Sequence, residues 1–486
     1  MADRFFRDAG LYAISTVFPA VLGLALVSIF SHAFTTASYG QYSLALVFVT
    51  AISTLSTGWI EQSILRFEPQ IETDKLLQNI ITVLVGEYIL VVGVGILAYS
   101  IEGFIPPEYG KFLAPVICLA LTQSSFRILQ SIYQSKLQSA SLTGLKLTRA
   151  MLRFIGAIGV AVYLLNDITG WLWGAVFATG IVTLYMILRV DQVGVTLKPD
   201  LKLIRRMFFF GVPLIGWALA HKLLAYGDRV IIEIISGSAS VGIYSSNYSI
   251  ANQSMGLISG PIIMAIHPLL MNAWTGENPE KISNMICSYT RYFLIAGIPA
   301  LAYSIVLSKP MVEFLLAESY SEGYLVVPVI AAGTFVWGIS NIGHKGLEIQ
   351  EKTTTMLLGA AIAVVLNIIL NVPLVQRYGY EGAALATLLS FSVYPVYIHI
   401  ITKNEIRWII PVKTVQNVVL ATAPIFLVYA VLWTTTSYTV ILVLLMIPVT
   451  GGLYMAAIYV LKEPREEELA ILSKRVNQLI MRMNRE

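Results

Sequence analysis

Charge is scarce in this sequence. Its 486 residues include 32 Lys or Arg and 28 Asp or Glu, 12% together, about half the share of a soluble globular protein. A soluble fold must face water with polar residues. With 57% hydrophobic residues and a mean hydropathy of +0.74, the composition excludes a soluble enzyme and a disordered chain. The net charge of +4 is too small and dispersed for a nucleic-acid binder. Only two cysteines occur, Cys118 and Cys287, both inside apolar runs; this excludes a disulfide framework and offers no metal-ligand spacing. No phosphate-binding glycine loop of the Walker type is present, which argues against ATP drive within the chain. No Asp-x-Asp pair, large hydrophilic domain, or zinc, haem or nucleotide signature is present either. These absences leave little room for a membrane enzyme of polysaccharide synthesis.

Long apolar runs are abundant instead. A helix needs about 20 such residues to cross roughly 30 Å of hydrocarbon. Fourteen runs qualify, at 9–30, 42–65, 80–100, 112–133, 148–165, 171–188, 207–235, 241–271, 286–307, 325–349, 356–374, 382–401, 415–433 and 438–461. The expected fold is an all-α polytopic membrane protein. With the N-terminus in the cytoplasm, most basic residues fall on the cytoplasmic side, whereas the opposite loops hold Lys111, Lys309 and Arg377. That asymmetry follows the positive-inside rule and puts both termini in the cytoplasm.

Two patterns recur in order. Ala37-Ser38-Tyr39-Gly40-Gln41-Tyr42-Ser43 matches Ala239-Ser240-Val241-Gly242-Ile243-Tyr244-Ser245 at an offset of 202, and Gly174-Ala175-Val176-Phe177-Ala178-Thr179 matches Gly382-Ala383-Ala384-Leu385-Ala386-Thr387 at 208. Each offset carries six spans, an even number, so two six-helix lobes run parallel about an axis along the membrane normal. The expected division is a first lobe at 1–200, a second at 201–405, two extra spans at 406–462 and a cytoplasmic tail at 463–486. In the tail Leu469, Leu472, Val476, Leu479, Ile480 and Met483 form an amphipathic stripe suited to the membrane surface. Six plus six plus two is a transporter layout, with a site between lobes that rock.

These residues also carry a family resemblance. Gly227-Asp228-Arg229 with Val230-Ile231-Ile232, and then Val241-Gly242-Ile243-Tyr244-Ser245, resembles the seventh-to-eighth helix region of oligosaccharide-lipid flippases. So does Asn367-Ile368-Ile369-Leu370-Asn371 leading into Tyr378-Gly379-Tyr380-Glu381-Gly382-Ala383-Ala384. Tyr39-Gly40-Gln41-Tyr42-Ser43 and Leu65-Arg66-Phe67 look like the N-terminal counterparts. The chain therefore resembles, over nearly its whole length, the polysaccharide-export members of the multidrug/oligosaccharidyl-lipid/polysaccharide exporter superfamily. The resemblance implies movement of a polyprenyl-pyrophosphate-linked oligosaccharide from the cytoplasmic to the outer leaflet of the cell membrane, without a cofactor. The alternatives are an ion-coupled multidrug or cation antiporter of the same superfamily and the lipid II flippase branch, whose Ser-Arg and Arg-Asp signatures near the first helix are absent. The implied partners are that substrate and membrane lipids, with polysaccharide polymerase or glycosyltransferase machinery as candidates.

Charges inside spans cost several kcal/mol unless they face protein or water, so they are the candidate functional residues. Lys222, Arg229 and Glu233 share one helical stripe at i, i+7 and i+11, with His221 and Asp228 alongside. At about 1.5 Å per residue, Lys222 lies near mid-membrane and Arg229 about 10 Å further out. A pyrophosphate stripped of water needs such donors. Lys222 and Arg229, with Arg153 and Arg66 nearer the cytoplasmic side, are the expected substrate contacts. The bland alternatives are an Arg229–Glu233 pair at i+4 and snorkelling of Arg66 and Arg153. Asp228, Glu61, Glu87, Glu233 and His221 are candidates for binding a coupling proton or Na⁺. His267 before Pro268 reads as a kink-region packing residue. Pro19, Gly211-Val212-Pro213, Gly260-Pro261 and Pro299 are candidate bending points.

Overall fold

The computed structural model of the chain describes residues 2–68, 71, 73–101, 103, 105–136, 138–189, 199–274, 278–404, 406–435, 440–466 and 468. Among these residues there is no strand. The first six long helices are α1 (Ala2–Ala33), α2 (Thr36–Phe67), α3 (Thr73–Ser100), α4 (Pro107–Ser135), α5 (Ser139–Ile158) and α6 (Thr169–Arg189), α5 ending in a π-helical stretch, Gly159–Leu164. Next come α7 (Leu201–Tyr226), α8 (Asp228–Ala273), α9 (Pro279–Leu315), the short α10 (Glu318–Ser321), α11 (Val326–Gly343), α12 (Lys345–Ile349) and α13 (Thr353–Ile401). The chain closes with α14 (Val412–Ala421), α15 (Ala423–Thr435) and α16 (Val440–Val460).

Local chemistry fixes several helix starts. Thr35 accepts a hydrogen bond from Ser38 N at 3.3 Å to cap α2. Asp200 accepts from Lys202 N and Leu203 N at 3.0 and 3.2 Å to cap α7, and is itself held by Lys75 at 3.1 Å. Asn278 caps α9, with Pro279 at the first helical position.

Eleven helices among the described residues are long and apolar enough to cross a bilayer, with a further bent unit spanning α7 and α8. Two of these units double back. Gly237, at φ +79°, breaks α8. Across that break Tyr244 donates to Asp228, and Arg229 Nε donates to Ser245 Oγ at 3.1 Å. Sixteen residues of straight helix would part each pair by about 24 Å. Gly379, at φ +60°, folds α13 in the same way, and Tyr397 Oη donates to Thr355 O, 42 residues earlier, at 3.0 Å. Only glycine takes this backbone region without strain. Gly227 keeps helical dihedrals, so α7 runs on into the first arm of α8. With both hairpins resolved into arms, the helices fall at the fourteen positions expected from the sequence.

The sequence repeat is written in the contacts. The backbones of α2 and the second arm of α8 touch: a methyl group on Gly40 would lie 1.8 Å from Ser238 O, and one on Gly242 1.9 Å from Thr36 O. The offset of 202 relates Thr36 to Ser238 as it relates Gly40 to Gly242. The two contacts are thus reciprocal about a pseudo-twofold axis between the glycines. α1, α2, α4, α5 and α6 pack on one another as a first lobe, and α8, α9, α11 and α13 as a second, joined through α2 and α1 on α8 and α2 on α7.

The last two crossings, α14–α15 and α16, lie against α9 and are fastened by an arginine. Arg291, on α9 and 4% exposed, donates to Glu463 at 2.9 Å and to Glu468 at 2.5 and 3.1 Å. Thr414 and Asn417 also donate to Glu463, at 2.7 and 2.8 Å. Desolvation alone would raise the Glu468 carboxyl, but hydrogen bonds from Arg291, Arg465 N and Tyr292 outweigh it and bring its pKa down to about 2. The tail stripe beyond Glu468 lies outside the described residues. Arg291→Ala leaves two carboxylates without their cation and should destabilise the protein by about 3–5 kcal/mol, seen as a lower melting temperature in detergent. The folded pKa of Glu468 lies below its ordinary 4.5, so this contribution is whole above that value and is lost as pH falls through about 2. Equal melting of wild type and variant at pH 7 would refute the clamp.

Candidate functional site

A cavity of about 550 Å³ lies between α1, α2, α4, α5, α6 and the α7–α8 unit. The end towards the α1–α2 turn is closed by Tyr39, Tyr42 and Trp171. Trp171 is sandwiched between Phe30 and Tyr42, both at 4.1 Å. The end towards the α4–α5 turn carries Gln130 and Lys146. One wall is basic: Lys146, Arg149 and Arg153 occupy i, i+3 and i+7 of α5, a single helix face, and all three line the cavity. Arg149 stacks on Phe126 at 3.9 Å. The opposite wall, from α8, presents Ser245, Ser249, Gln253 and the edge of Arg229. Among the described residues no carboxylate lines this space, and none pairs with the three α5 cations. Three positive charges on one face, with no acid opposite, repel one another until an anion enters.

Arg229 is differently employed. It is 4% exposed, paired with Asp228 at 3.3 Å and bonded to Ser245 and Ala225 O. The rings of Tyr226, Tyr244 and Tyr248 stand 4.7–5.7 Å from its guanidinium. Asp228 accepts from Tyr244 and, at 3.3 Å, from Thr387. This node ties both arms of α8 to α13. The i+4 pairing of Arg229 with Glu233 does not form: Glu233 accepts from Tyr109 of α4 and, at 2.8 Å, from Ser238.

Lys222, which shares the stripe of Arg229 in the sequence, stands over the same Tyr226 ring but is not among the residues that line the cavity. The lysine lies by Tyr226, 5.9 Å from its ring, within electrostatic reach of Glu61 and Arg127. Arg127 Nε holds Glu61 at 2.8 Å, and Thr57 donates to Glu61 at 3.5 Å. His221 stacks on Trp337 at 5.2 Å inside an aromatic cluster with Trp217, away from the cavity. Arg66 is exposed near the end of α2 and is not in the cavity, whereas Arg153 is. Glu87, midway along α3, is 9% exposed. Both its carboxylate oxygens are buried without a hydrogen bond among the described residues, although Ser56 and Ser124 stand beside it. The side chains of His267 and Pro213 lie outside the described residues.

Reading the sequence left Lys146 and Arg149 in a cytoplasmic loop, Lys146 because the fifth apolar run begins only at 148 and Arg149 because it is the second residue of that run. The structure starts α5 at Ser139, turning that basic flank into cavity wall. It also passed over Arg127 and Arg291, although both fall inside apolar runs. A complete tally of charges within the runs would have found them.

Many apolar spans, two repeat-related lobes and a cavity between helices define a polytopic membrane protein. The sequence profile of the polysaccharide biosynthesis protein family matches residues 5–274, and the chain belongs to that family. It is 23% identical over 65% of its length to the probable low-salt glycan biosynthesis flippase Agl15 of Haloferax volcanii, covering 66% of that protein. It is 25% identical over 38% of its length to a putative O-antigen transporter of Shigella flexneri, covering 44% of it. The chain thus spans just under two thirds, or less, of the length of these curated relatives. Among solved structures its fold is similar to the lipid II flippase MurJ in an inward closed conformation, with TM-score 0.73, 17% identity, and 92% of this chain and 97% of that one covered. It is also similar to an inward-facing multidrug resistance MATE family transporter, with TM-score 0.63, 13% identity, and 80% and 94% covered.

The Glu61–Arg127 pair gives a direct test of the geometry. Glu61→Gln and Arg127→Gln should each destabilise the folded protein. The double variant should recover part of the loss, with a coupling energy of about 1–3 kcal/mol in a double-mutant cycle of unfolding in detergent. Additive losses would contradict the pair.

Proposed function

We propose that this protein is a flippase that carries a lipid-linked oligosaccharide, anchored by polyprenyl pyrophosphate, from the cytoplasmic to the outer leaflet for cell-surface glycan synthesis. The observation that carries this reading is the Lys146–Arg149–Arg153 face of α5, turned into a cavity whose described walls hold no acid. Guanidinium groups replace the hydration of a phosphate with paired, charge-assisted hydrogen bonds. The polyprenyl tail stays in lipid, while head group and sugars cross through the cavity as the lobes rock. The names of the two curated relatives, a glycan biosynthesis flippase and an O-antigen transporter, support the same substrate class. A drug-cation antiporter would be served by acids in that wall, and the basic face argues against it.

The positive-inside bias supports cytoplasmic termini and residence in the cell membrane, and the repeat supports lobes divided near residue 200, with 406–462 and the tail as additions. Arg229, pinned by Asp228, shapes the wall, and Arg149 and Arg153 bind the phosphate. Polymerase and glycosyltransferase machinery would supply and consume the glycan lipid.

The test is movement of a fluorescent polyprenyl-pyrophosphate oligosaccharide across reconstituted vesicles. Wild type should move it, Arg149→Gln and Arg153→Gln should each slow it by about tenfold or more, equivalent to at least 1.4 kcal/mol, and Arg66→Gln should stay near wild type. Absence of any movement by wild type would overturn the flippase reading, and full activity of both α5 variants would overturn the site.

The coupling cation, a proton or Na⁺, falls to Glu87 on this reading. Glu61, Asp228 and Glu233 are occupied by Arg127, by Arg229 with Tyr244, and by Tyr109 with Ser238, and His221 is stacked in an aromatic cluster. A buried carboxyl without a hydrogen bond has capacity to take a cation. Glu87→Gln should leave movement down the lipid's own gradient intact but make its rate independent of an imposed proton or Na⁺ gradient. A variant that still responds to the gradient as wild type does would remove Glu87 from coupling.

A further inference from the structure

We propose that Gly40 and Gly242 are the seal of a gate that closes the cavity at the α1–α2 face, and that parting them admits the cavity to that face. The inference rests on the flippase reading for its purpose, but its geometry stands apart from it. Directly beyond Tyr39, Tyr42 and Trp171, α2 and the second arm of α8 meet backbone to backbone, with no side chain between them at the two glycines. The axis relating the lobes passes through this point, so a rocking motion of one lobe against the other separates both contacts together.

Four weaker ties surround the seal, and each joins the two lobes or braces a residue that does. Ser31 Oγ accepts from Ala317 N at 3.3 Å, and Tyr320 Oη donates to Phe34 O at 2.8 Å. Tyr109 donates to Glu233, which also takes the hydroxyl of Ser238. Tyr320 meets Tyr39 edge-on at 5.8 Å. Opening the gate breaks these hydrogen bonds and parts the packing of α1 and α2 on the second arm of α8 around the glycines. Such a seal is bistable because backbone contact has no intermediate: either the helices touch or lipid and water enter. Any side chain at either glycine must hold the helices apart, since its first carbon would fall under 2 Å from a carbonyl oxygen.

The test uses the full chain in vesicles, with Cys118→Ser and Cys287→Ser and with Ser249→Cys as a reporter in the cavity wall. A membrane-impermeant thiol reagent is applied from the α1–α2 face. Gly40→Ala and Gly242→Ala should each raise the labelling rate by about tenfold, a shift of roughly 1.4 kcal/mol between closed and open gates. Gly180→Ala, where a methyl group meets nothing within 4 Å, should not. In a second arm, with both glycines intact, Ser31→Cys and Ala317→Cys are oxidised across the gate. The disulfide should form, arrest lipid movement and release it on reduction. Labelling of both glycine variants at the Gly180→Ala rate, or undiminished lipid movement by the cross-linked protein, would overturn the gate. If the glycine variants do not reach the membrane, the disulfide arm alone decides. Absence of lipid movement even before oxidation counts against the flippase reading, and the labelling arm then decides the gate without it.

Discussion

A charge held in the core of a bilayer must be matched by protein or water, at a cost of several kcal/mol when it is not. The placement of this protein's few intramembrane charges follows from that constraint. Most are matched by protein. Arg127 holds Glu61, Arg229 holds Asp228 inside a ring of tyrosines, and Arg291 gathers Glu463 and Glu468. Each of these sets ties separate helices together: α2 to α4, the arms of α8 to one another and to α13, and α9 to α14 and the segment after α16. The pairs are structural fasteners. The α5 face differs: Lys146, Arg149 and Arg153 stand together with no carboxylate across the cavity among the described residues. Unmatched positive charge facing a cavity is what a transported anion would complete.

The lobes and their motion depend on residues with the least side chain. Gly237 and Gly379 reverse two helices, and Gly40 and Gly242 allow the lobes to touch at the axis that relates them. On the proposed reading, separate demands fall on different parts of the chain: arginines bind, fasteners hold each lobe together, and glycines set where the lobes meet. A flippase would need all three, because a binding face is useful only if it can be exposed on one side of the membrane at a time.

Much of this was legible in the sequence. Apolar run length gave the helices, because a bilayer imposes one thickness on every span. The recurrence at an offset of 202 gave the parallel lobes, and the structure turns that recurrence into reciprocal contacts at Gly40 and Gly242. The site was only half legible. Arg153 was found because it falls well inside a run, whereas Lys146, ahead of the run, and Arg149, at its second position, escaped because α5 begins before its apolar segment, at Ser139. Periodicity within one helix also put Lys222 beside Arg229. It could not show that Asp228 and Ser245 take up Arg229 while Lys222, over the same Tyr226 ring, lies within electrostatic reach of Glu61 and Arg127. Partners across helices are set by packing, which one helix's spacing does not contain.

The central claim is that the α5 face recognises the phosphate-bearing head group of a lipid. Its most direct test is equilibrium binding of two lipids with the same polyprenyl chain to the purified protein, one ending in a pyrophosphate-linked oligosaccharide and one in a neutral hydroxyl, read by native mass spectrometry. The account predicts tight, saturable binding of the pyrophosphate lipid, little binding of the neutral one, and loss of the difference in a combined Lys146→Gln, Arg149→Gln and Arg153→Gln variant. Equal binding of the two lipids by wild type would contradict it.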